Sequence, residues 1–449
     1  MLNLAAALDR IKGRVTETLP EELIQELCRE VGHRWRNRDL GPVVTTHLVV
    51  RQILEGNVPV GQLRRLSGLA FTDSAYCQAR ARLPRELLER LQRAVTGALD
   101  ALTEPQSSEL WHGHRVFLVD GSGFSMPDTP ELQAHFGQPS GQAAGCGFPV
   151  AHLMVRFDAF RGYLLQTEAL PLDSHDLAGV PALHAALDEG DVVVGDRAFA
   201  SYAHLALCRG RGVHGVFRAH QKQIIDFRPH RKMAGNGDKG KPRSRWLKRL
   251  GKHDQLVEYV KPKDSDRPAW MTAAQYAQLP PSLVVREIRY TIREPGRRTR
   301  VVTLVTTLLD PERYPAKDLA QLYGLRWRVE TQLKHLKGTL GLDLLRCTTV
   351  EGVLKELTLF VLIYHLVCRV RCEAARRQEV EPDRISFIDA WRWLRHARPG
   401  DALPDLVVNP DRPGRFEPRV RKRRPKEFPL MKRPRHVLKK ELRTKKVAA

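Results

Sequence analysis

Two short apolar runs in the middle of the chain each stop at an aspartate. Val116 to Val119 runs into Asp120-Gly121-Ser122, and Asp191 to Val194 runs into Gly195-Asp196-Arg197. Apolar runs of this length, bounded by turn residues, read as buried strands. Between them lie two more strand-like runs, Ala151 to Phe157 and Tyr163 to Ala169, joined as a hairpin through Arg161-Gly162. A helix from about Leu177 to Leu187 follows them, and Asp173, His175 and Asp176 are read as its caps. A helix over Tyr202 to Arg209 and a strand over Val213 to Arg218 come after Asp196. Strands first, then strands alternating with helices, predict a mixed α/β layer fold. A carboxylate at the C-terminal end of such a strand lies at the sheet's functional edge. An aspartate there also serves simply to start a turn.

The flanks have other characters. Residues 1–110 read as a helical domain, with Leu23, Ile24, Leu27 and Val31 at helical spacing and Val49, Ile53, Leu63 and Leu66 continuing the pattern. Ser67-Gly68 interrupts it, and Thr72-Asp73-Ser74 offers caps for a second helix through Arg82. Helix, short turn, helix fits a DNA reader, although any small helical domain contains such a pair. Residues 111–220 and 301–375 form the predicted α/β core, interrupted by a β-rich basic insertion over 221–300. Residues 221–252 hold eleven Lys or Arg against two acids and read as a basic loop. Val284 to Ile292 and Val301 to Thr307 read as strands around the basic turn Pro295-Gly296-Arg297-Arg298. One helix is expected over Ala316 to Leu340, another over Leu354 to Ala375, and a short one over Ser386 to Arg395 within a C-terminal region of 376–449. From 411 onward, sixteen Lys or Arg face four acids in a Pro-rich stretch, which predicts an extended basic arm.

Charge narrows the partners. Lys and Arg number 74 against 51 Asp and Glu, a net charge of +23. That excess attracts polyanions, nucleic acid first. No run reaches the roughly 18 apolar residues of a membrane span, and Leu357 to Val367 is too short. The N-terminus shows no signal-peptide pattern. The seven cysteines are scattered, with Cys368 and Cys372 as a lone CxxxC pair, which argues against a disulfide framework or a zinc site. A reducing cytosol is the expected compartment. His112 and His114 lack a third ligand at suitable local spacing and are read as surface residues.

Tyr323, Arg326, Glu330 and Lys337 fall within an arc of about 60° on one helix face. An apolar stripe of Leu322, Leu325, Val329, Leu333, Leu336 and Leu340 lies beside them. A solvated face, with Arg326 and Lys334 pairing Glu330 at i±4, accounts for the same spacing. Phosphoryl transfer between DNA strands supplies a reason for the set. It needs in-line positioning and neutralised charge, which two hard cations about 4 Å apart provide. Mg²⁺ takes a few carboxylates and keeps several waters. Three acids from separate segments, Asp120, Asp196 and Glu330, suffice for two such ions. Arg326 and Lys337 would grip phosphates beside them. Arg197 and the basic zone of Lys222, Arg243, Arg245, Lys248 and Arg249 would track a DNA backbone, and Trp246 would either stack on a base or pack.

Tyr323-x2-Arg326-x3-Glu330-x6-Lys337 resembles the Tyr-Arg-Glu-Lys signature of bacterial insertion-sequence family 4 transposases. The Asp120-Gly121 segment resembles that family's first acidic motif. Asp196-Arg197-Ala198-Phe199 resembles the second, with Ala198 where glycine is frequent. SAYCQARARL at Ser74 to Leu83 and the tail Arg419 to Arg435 are also similar, so the resemblance covers nearly the whole chain. It implies an RNase H-like mixed sheet flanked by helices, with two Mg²⁺ ions (Mn²⁺ substituting) on Asp120, Asp196 and Glu330. It implies cut-and-paste transposition through a DNA hairpin, with Tyr323, Arg326 and Lys337 holding the backbone. Double-stranded DNA, as element ends and target, would be the partner of a homodimer in the bacterial cytosol, at the nucleoid. A metal-dependent nuclease and a non-catalytic DNA-binding protein are the rival readings. The transposase and nuclease readings require three distant acids to meet.

Overall fold

The computed structural model describes residues 19–36, 38–102, 110–174, 176–235, 240–292, 301–398, 400–410 and 431–447. The expected cap His175, the basic turn 295–298 and the arm over 411–430 lie outside the described residues. Five helices open the chain: α1 (Glu21–Glu30), α2 (Pro42–Leu54), α3 (Val60–Ser67), α4 (Asp73–Arg82) and α5 (Arg85–Leu102). The turn residues work as their chemistry predicts. Gly68 stops α3 at φ 68°, in the left-handed region that glycine enters without strain. The Thr72 hydroxyl then accepts the Ala75 N–H and starts α4. Every residue of α2 except Arg51 is buried, so α2 is the axis of this bundle.

Nine strands follow: β1 (Val116–Ser125), β2 (Val150–Asp158), β3 (Leu164–Pro171), β4 (Val192–Gly195), β5 (His214–Arg218), β6 (Ser244–Gly251), β7 (Asp254–Val260), β8 (Ser282–Thr291) and β9 (Val301–Thr306). They form one sheet in the order β3-β2-β1-β4-β5-β9-β8-β7-β6. β1, β4 and β5 are parallel, and every other neighbouring pair is antiparallel. Helix α6 (Pro130–Phe136) lies between β1 and β2, α7 (Val180–Ala185) between β3 and β4, α8 (Tyr202–Gly210) between β4 and β5, and α9 (Ala273–Ala277) between β7 and β8. The expected mixed α/β fold is present. The stretch read as a basic loop instead ends in strand β6, which pairs with β7, and the β-rich segment is continuous with the central sheet because β9 pairs with β5.

Alternation along β1 divides the core. Val116 and Leu118 face one apolar layer, and Phe117 and Val119 face the other. The first layer contains α12 (Val350–Arg377), whose segment 357–367 is buried throughout except for the half-buried Thr358. The apolar run noted in the sequence is therefore the central core helix. Among the described residues, no helix is long and apolar enough to cross a membrane. Ahead of α12, the long helix expected over 316–340 is divided. α10 (Ala316–Gly324) and α11 (Trp327–Lys334) are separated by Leu325 and Arg326, and a π-turn spans His335–Thr339. Gly324 and Gly338 lie at the two irregularities, as expected for helix bends without proline. Helix α13 (Phe387–His396) packs on α12. Helix α14 (Arg435–Val447) corrects the expectation of a tail extended throughout: uninterrupted Lys, Arg, Glu and Leu favour a helix here.

Candidate active site

Register explains why the two aspartates meet. β1 and β4 run parallel with Val116 opposite Val192, Phe117 opposite Val193 and Leu118 opposite Val194. Two residues further on, the same register sets Asp196 level with Asp120, one strand spacing away. The strands differ beyond that point. β4 stops at Gly195, whereas β1 continues to Ser125 because β2 goes on pairing with it, Asp120 opposite Val155 and Ser125 opposite Val150. Asp120 is thus mid-strand rather than at a strand end, beside a place where its neighbour has stopped. Gly195 is required there, since a Cβ would lie 2.9 Å from both Phe199 and Val119.

Asp196 starts a 3-10 turn, Arg197–Phe199, and its Oδ1 accepts the Ala198 N–H at 2.8 Å. The turn-starting reading of this aspartate holds alongside its place in the acidic group. Glu330 enters from α11. Arg326, in the break before α11, reaches Asp120 Oδ2 with Nη1 and Glu330 Oε1 with Nη2, both at 3.3 Å. The Asp120 side chain is 18% exposed and that of Glu330 is 53% exposed, so the group opens to solvent on the Glu330 side. Burial raises the Asp120 carboxyl to about 6; Arg326 and the Gly121 N–H oppose the rise, while Asp196 and Glu330 add to it. The three acids thus share one local field. Tyr323 is buried beside them. Burial raises its phenol, Arg326 and Arg218 pull it down, and Asp196 pushes it up again.

Lys337 lies further along β1. Its ammonium donates to the Gly123 carbonyl at 2.7 Å and to Ser122 Oγ at 3.3 Å, and it is 3.7 Å from Asp343. Arg326 and Lys337 therefore both reach β1 despite the helix break. Arg197 donates to Gln221 Oε1, next to the exposed Lys222. Arg243, Arg245, Lys248 and Arg249 are elsewhere. Arg243 directly precedes the outermost strand and the other three are on it, exposed, five strand positions from β4. That is a separation of about 24 Å. Trp246 packs on His230, ring centroids 4.4 Å apart. His114 is buried rather than on the surface, bonded to the Gly190 carbonyl and the Tyr314 hydroxyl. The apolar turn around Trp111 and Tyr314 closes over it. Sequence reasoning missed Arg218, which follows β5 to the same end of the sheet, and a buried His184, His204 and Cys208 group.

Carboxylates from a strand, from the turn after its parallel neighbour and from a helix, two of them bridged by an arginine and the group open to solvent, make the kind of site that handles phosphates and hard cations. The family model described as Transposase DDE domain matches residues 111–366, more than half of the chain. The chain belongs to the transposase DDE domain family, whose members are DNA-cleaving and DNA-joining enzymes that use divalent metal ions. It is 24% identical over 458 residues to the transposase InsG for insertion sequence element IS4 of Escherichia coli (strain K12), covering 95% of this chain and 96% of that one. The resemblance to insertion-sequence family 4 read from the motifs therefore holds. Among solved structures, the chain is similar to a piggyBac transposase synaptic complex with hairpin DNA. The TM-score is 0.36 and the identity 10%, over 85% of this chain and 78% of that one.

Proposed function

We propose that this transposase excises and inserts its own element by cut-and-paste chemistry, with Asp120, Asp196 and Glu330 holding two Mg²⁺ ions, or Mn²⁺ in their place. The observation that carries the reading is that Asp120 feels the charges of both Asp196 and Glu330, residues far apart in sequence, while Arg326 bridges Asp120 and Glu330. Burial, with a smaller push from Asp196 and Glu330, raises the Asp120 carboxyl, and a bound cation would stabilise its charged form. The donor set is all oxygen, as Mg²⁺ prefers. When bound, the ions would neutralise the charge that builds on the attacking and leaving oxygens. An RNase H-like core is supported by the order β3-β2-β1-β4-β5 with β2 reversed.

The protein's own side chains bind and orient. Arg326 holds Asp120 and Glu330 in the metal-free chain and turns to a DNA phosphate when the site is loaded. Lys337 and Tyr323, on the same row, hold the backbone of the hairpin. Arg197 and Lys222 grip the strand as it leaves the site. Arg243, Arg245, Lys248 and Arg249 hold flanking duplex without reading bases. The reading divides the chain into an end-binding domain (1–110), a core (111–220 and 301–375), a basic insertion supporting the hairpin step (221–300) and a basic C-terminal region (376–449). Two copies pair the element ends in the bacterial cytosol.

The test is strand cleavage on DNA carrying the inverted repeats that flank the gene. With Mg²⁺ the protein is expected to nick, form hairpins and join. Asp196→Ala is expected to bind ends and not cut them. Full cutting by that variant removes the metal assignment, and cutting without joining makes the protein a nuclease.

A further inference from the structure

On the α7–α8 face of the sheet, three side chains that coordinate soft metals meet in an apolar layer. His184 comes from α7. His204 and Cys208 come from α8, four residues apart and so on one helix face. Their exposures are 1%, 0% and 0%. Their ligand-capable atoms all lie within 4.8 Å of one another, the only such group with that spacing among the described residues. Leu183, Val193, Leu205 and Phe217 belong to the same buried layer.

Two nitrogens here have no partner. His204 Nδ1 lies 2.9 Å from the Phe199 carbonyl, which can only accept, so Nδ1 carries the proton and Nε2 is a bare lone pair. That Nε2 is buried without a hydrogen bond among the described residues, as is His184 Nδ1. Leaving such atoms unsatisfied in an apolar layer is costly. An imidazole that donates one N–H to a backbone carbonyl while its other nitrogen is free has the arrangement of a metal ligand with its supporting bond. Burial also keeps both rings neutral, the coordinating form, taking His184 to about 3 and His204 to about 4. Cys208 Sγ is 3.8 Å from His184 Nε2.

We propose that His184, His204 and Cys208 form a binding site for a thiophilic d¹⁰ cation, Zn²⁺ or Cu⁺, that braces the turn presenting Asp196. A cation among atoms so spaced is at most about 2.8 Å from each, so ligands need to close by roughly half an ångström. Nitrogen and sulfur donors with no carboxylate select against the hard ions suited to the acidic cluster. Binding replaces the Cys208 S–H proton with the metal, and the proton leaves to solvent. One thiolate and two neutral imidazoles give a complex of zero charge with Cu⁺. Zn²⁺ reaches neutrality if a water enters as fourth ligand and releases a second proton to solvent. The brace runs through His204 to Phe199, the last residue of the turn that Asp196 starts.

The experiment uses the full chain, stripped of metal by chelation under reducing conditions. It is titrated with Co²⁺ as the visible stand-in for Zn²⁺, and anaerobically with Cu⁺, with elemental analysis of the bound ion. The expected result is one equivalent retained and, with Co²⁺, a thiolate-to-cobalt charge-transfer band. Cys208→Ala should lose the band and weaken uptake by more than about tenfold, while Asp196→Asn retains both. Tight uptake of Co²⁺ and Zn²⁺ identifies the zinc form, and tight uptake of Cu⁺ alone the copper form. No stoichiometric uptake of any of these ions by the wild-type chain overturns the proposal, as does undiminished uptake by Cys208→Ala. None of these readouts depends on DNA cleavage.

Discussion

The 3-10 turn from Arg197 to Phe199 separates two clusters of titratable side chains with opposite surroundings. On one side Asp120, Asp196 and Glu330 gather like charges at a solvent-open end of the sheet, with Arg326 between two of them. On the other, His184, His204 and Cys208 lie in a dry layer with nitrogens left unbonded. Depth in the fold sets the chemistry in each case. Water, backbone N–H groups and a guanidinium compensate the oxygen donors. Burial strips charge from the nitrogen donors and leaves lone pairs. The oxygen set suits hard cations and the nitrogen–sulfur set suits soft ones.

The sharpest way to break that contrast is to neutralise a carboxylate. Glu330→Gln is expected to lower the strand-cleavage rate by on the order of 10³-fold or more, with end binding unchanged in a metal-free gel shift. Cleavage within tenfold of wild type would remove the acidic side of the comparison. A second substitution asks what an uncompensated charge costs deep in this sheet. Arg286 is fully buried and paired with Asp254 at 2.5 Å. Arg286→Ala leaves Asp254 without that partner and is expected to cost about 3–5 kcal/mol in urea unfolding. A loss under 1 kcal/mol would mean that water reaches the strand.

A third measurement uses pH. The Asp120 carboxyl sits at about 6 in the fold, against about 3.9 in an unfolded chain. The folded state binds this proton more tightly, so the contribution is fully present below pH 4 and lost as pH rises through 6. In chelator at pH 7.5, Asp120→Asn should therefore be more stable than wild type by on the order of 2 kcal/mol, and near pH 4 the difference should vanish. Equal stability at both pH values would contradict the raised carboxyl that burial imposes on Asp120. The smallest effect is expected at the far edge. Removing Arg245, Lys248 and Arg249 together should weaken DNA binding modestly and flatten its salt dependence by up to about 0.9 per lost phosphate contact, with the unfolding midpoint unchanged. An unaltered salt slope would take β6 out of the interface.

Much of this was readable in the chain, for reasons that also explain the gaps. The strands through Leu118, Val155, Val193 and Val216 are buried, so their apolar runs stand out. β6 is an edge strand, exposed at Arg245, Leu247, Lys248 and Arg249, and edge strands carry charge that reads as loop. Spacing along one helix put Arg326 on the Glu330 face, but nothing local could announce that β1 passes there, 206 residues earlier. The helix break was invisible because Leu325 and Arg326 keep helical dihedrals. His204 and Cys208 shared a local interval; His184 joins them only through packing.

The pairing of β5 with β9 has a mechanical consequence. The chain leaves the central strands at Arg218 and returns at Val301 on the adjacent strand, so the basic edge cannot swing independently like a module on a tether. It moves with the acids as one stiff plate. Any duplex touching both is gauged against a span of about 24 Å, roughly seven base pairs. Lengthening the plate by a strand would shift where along the helix the two grips fall.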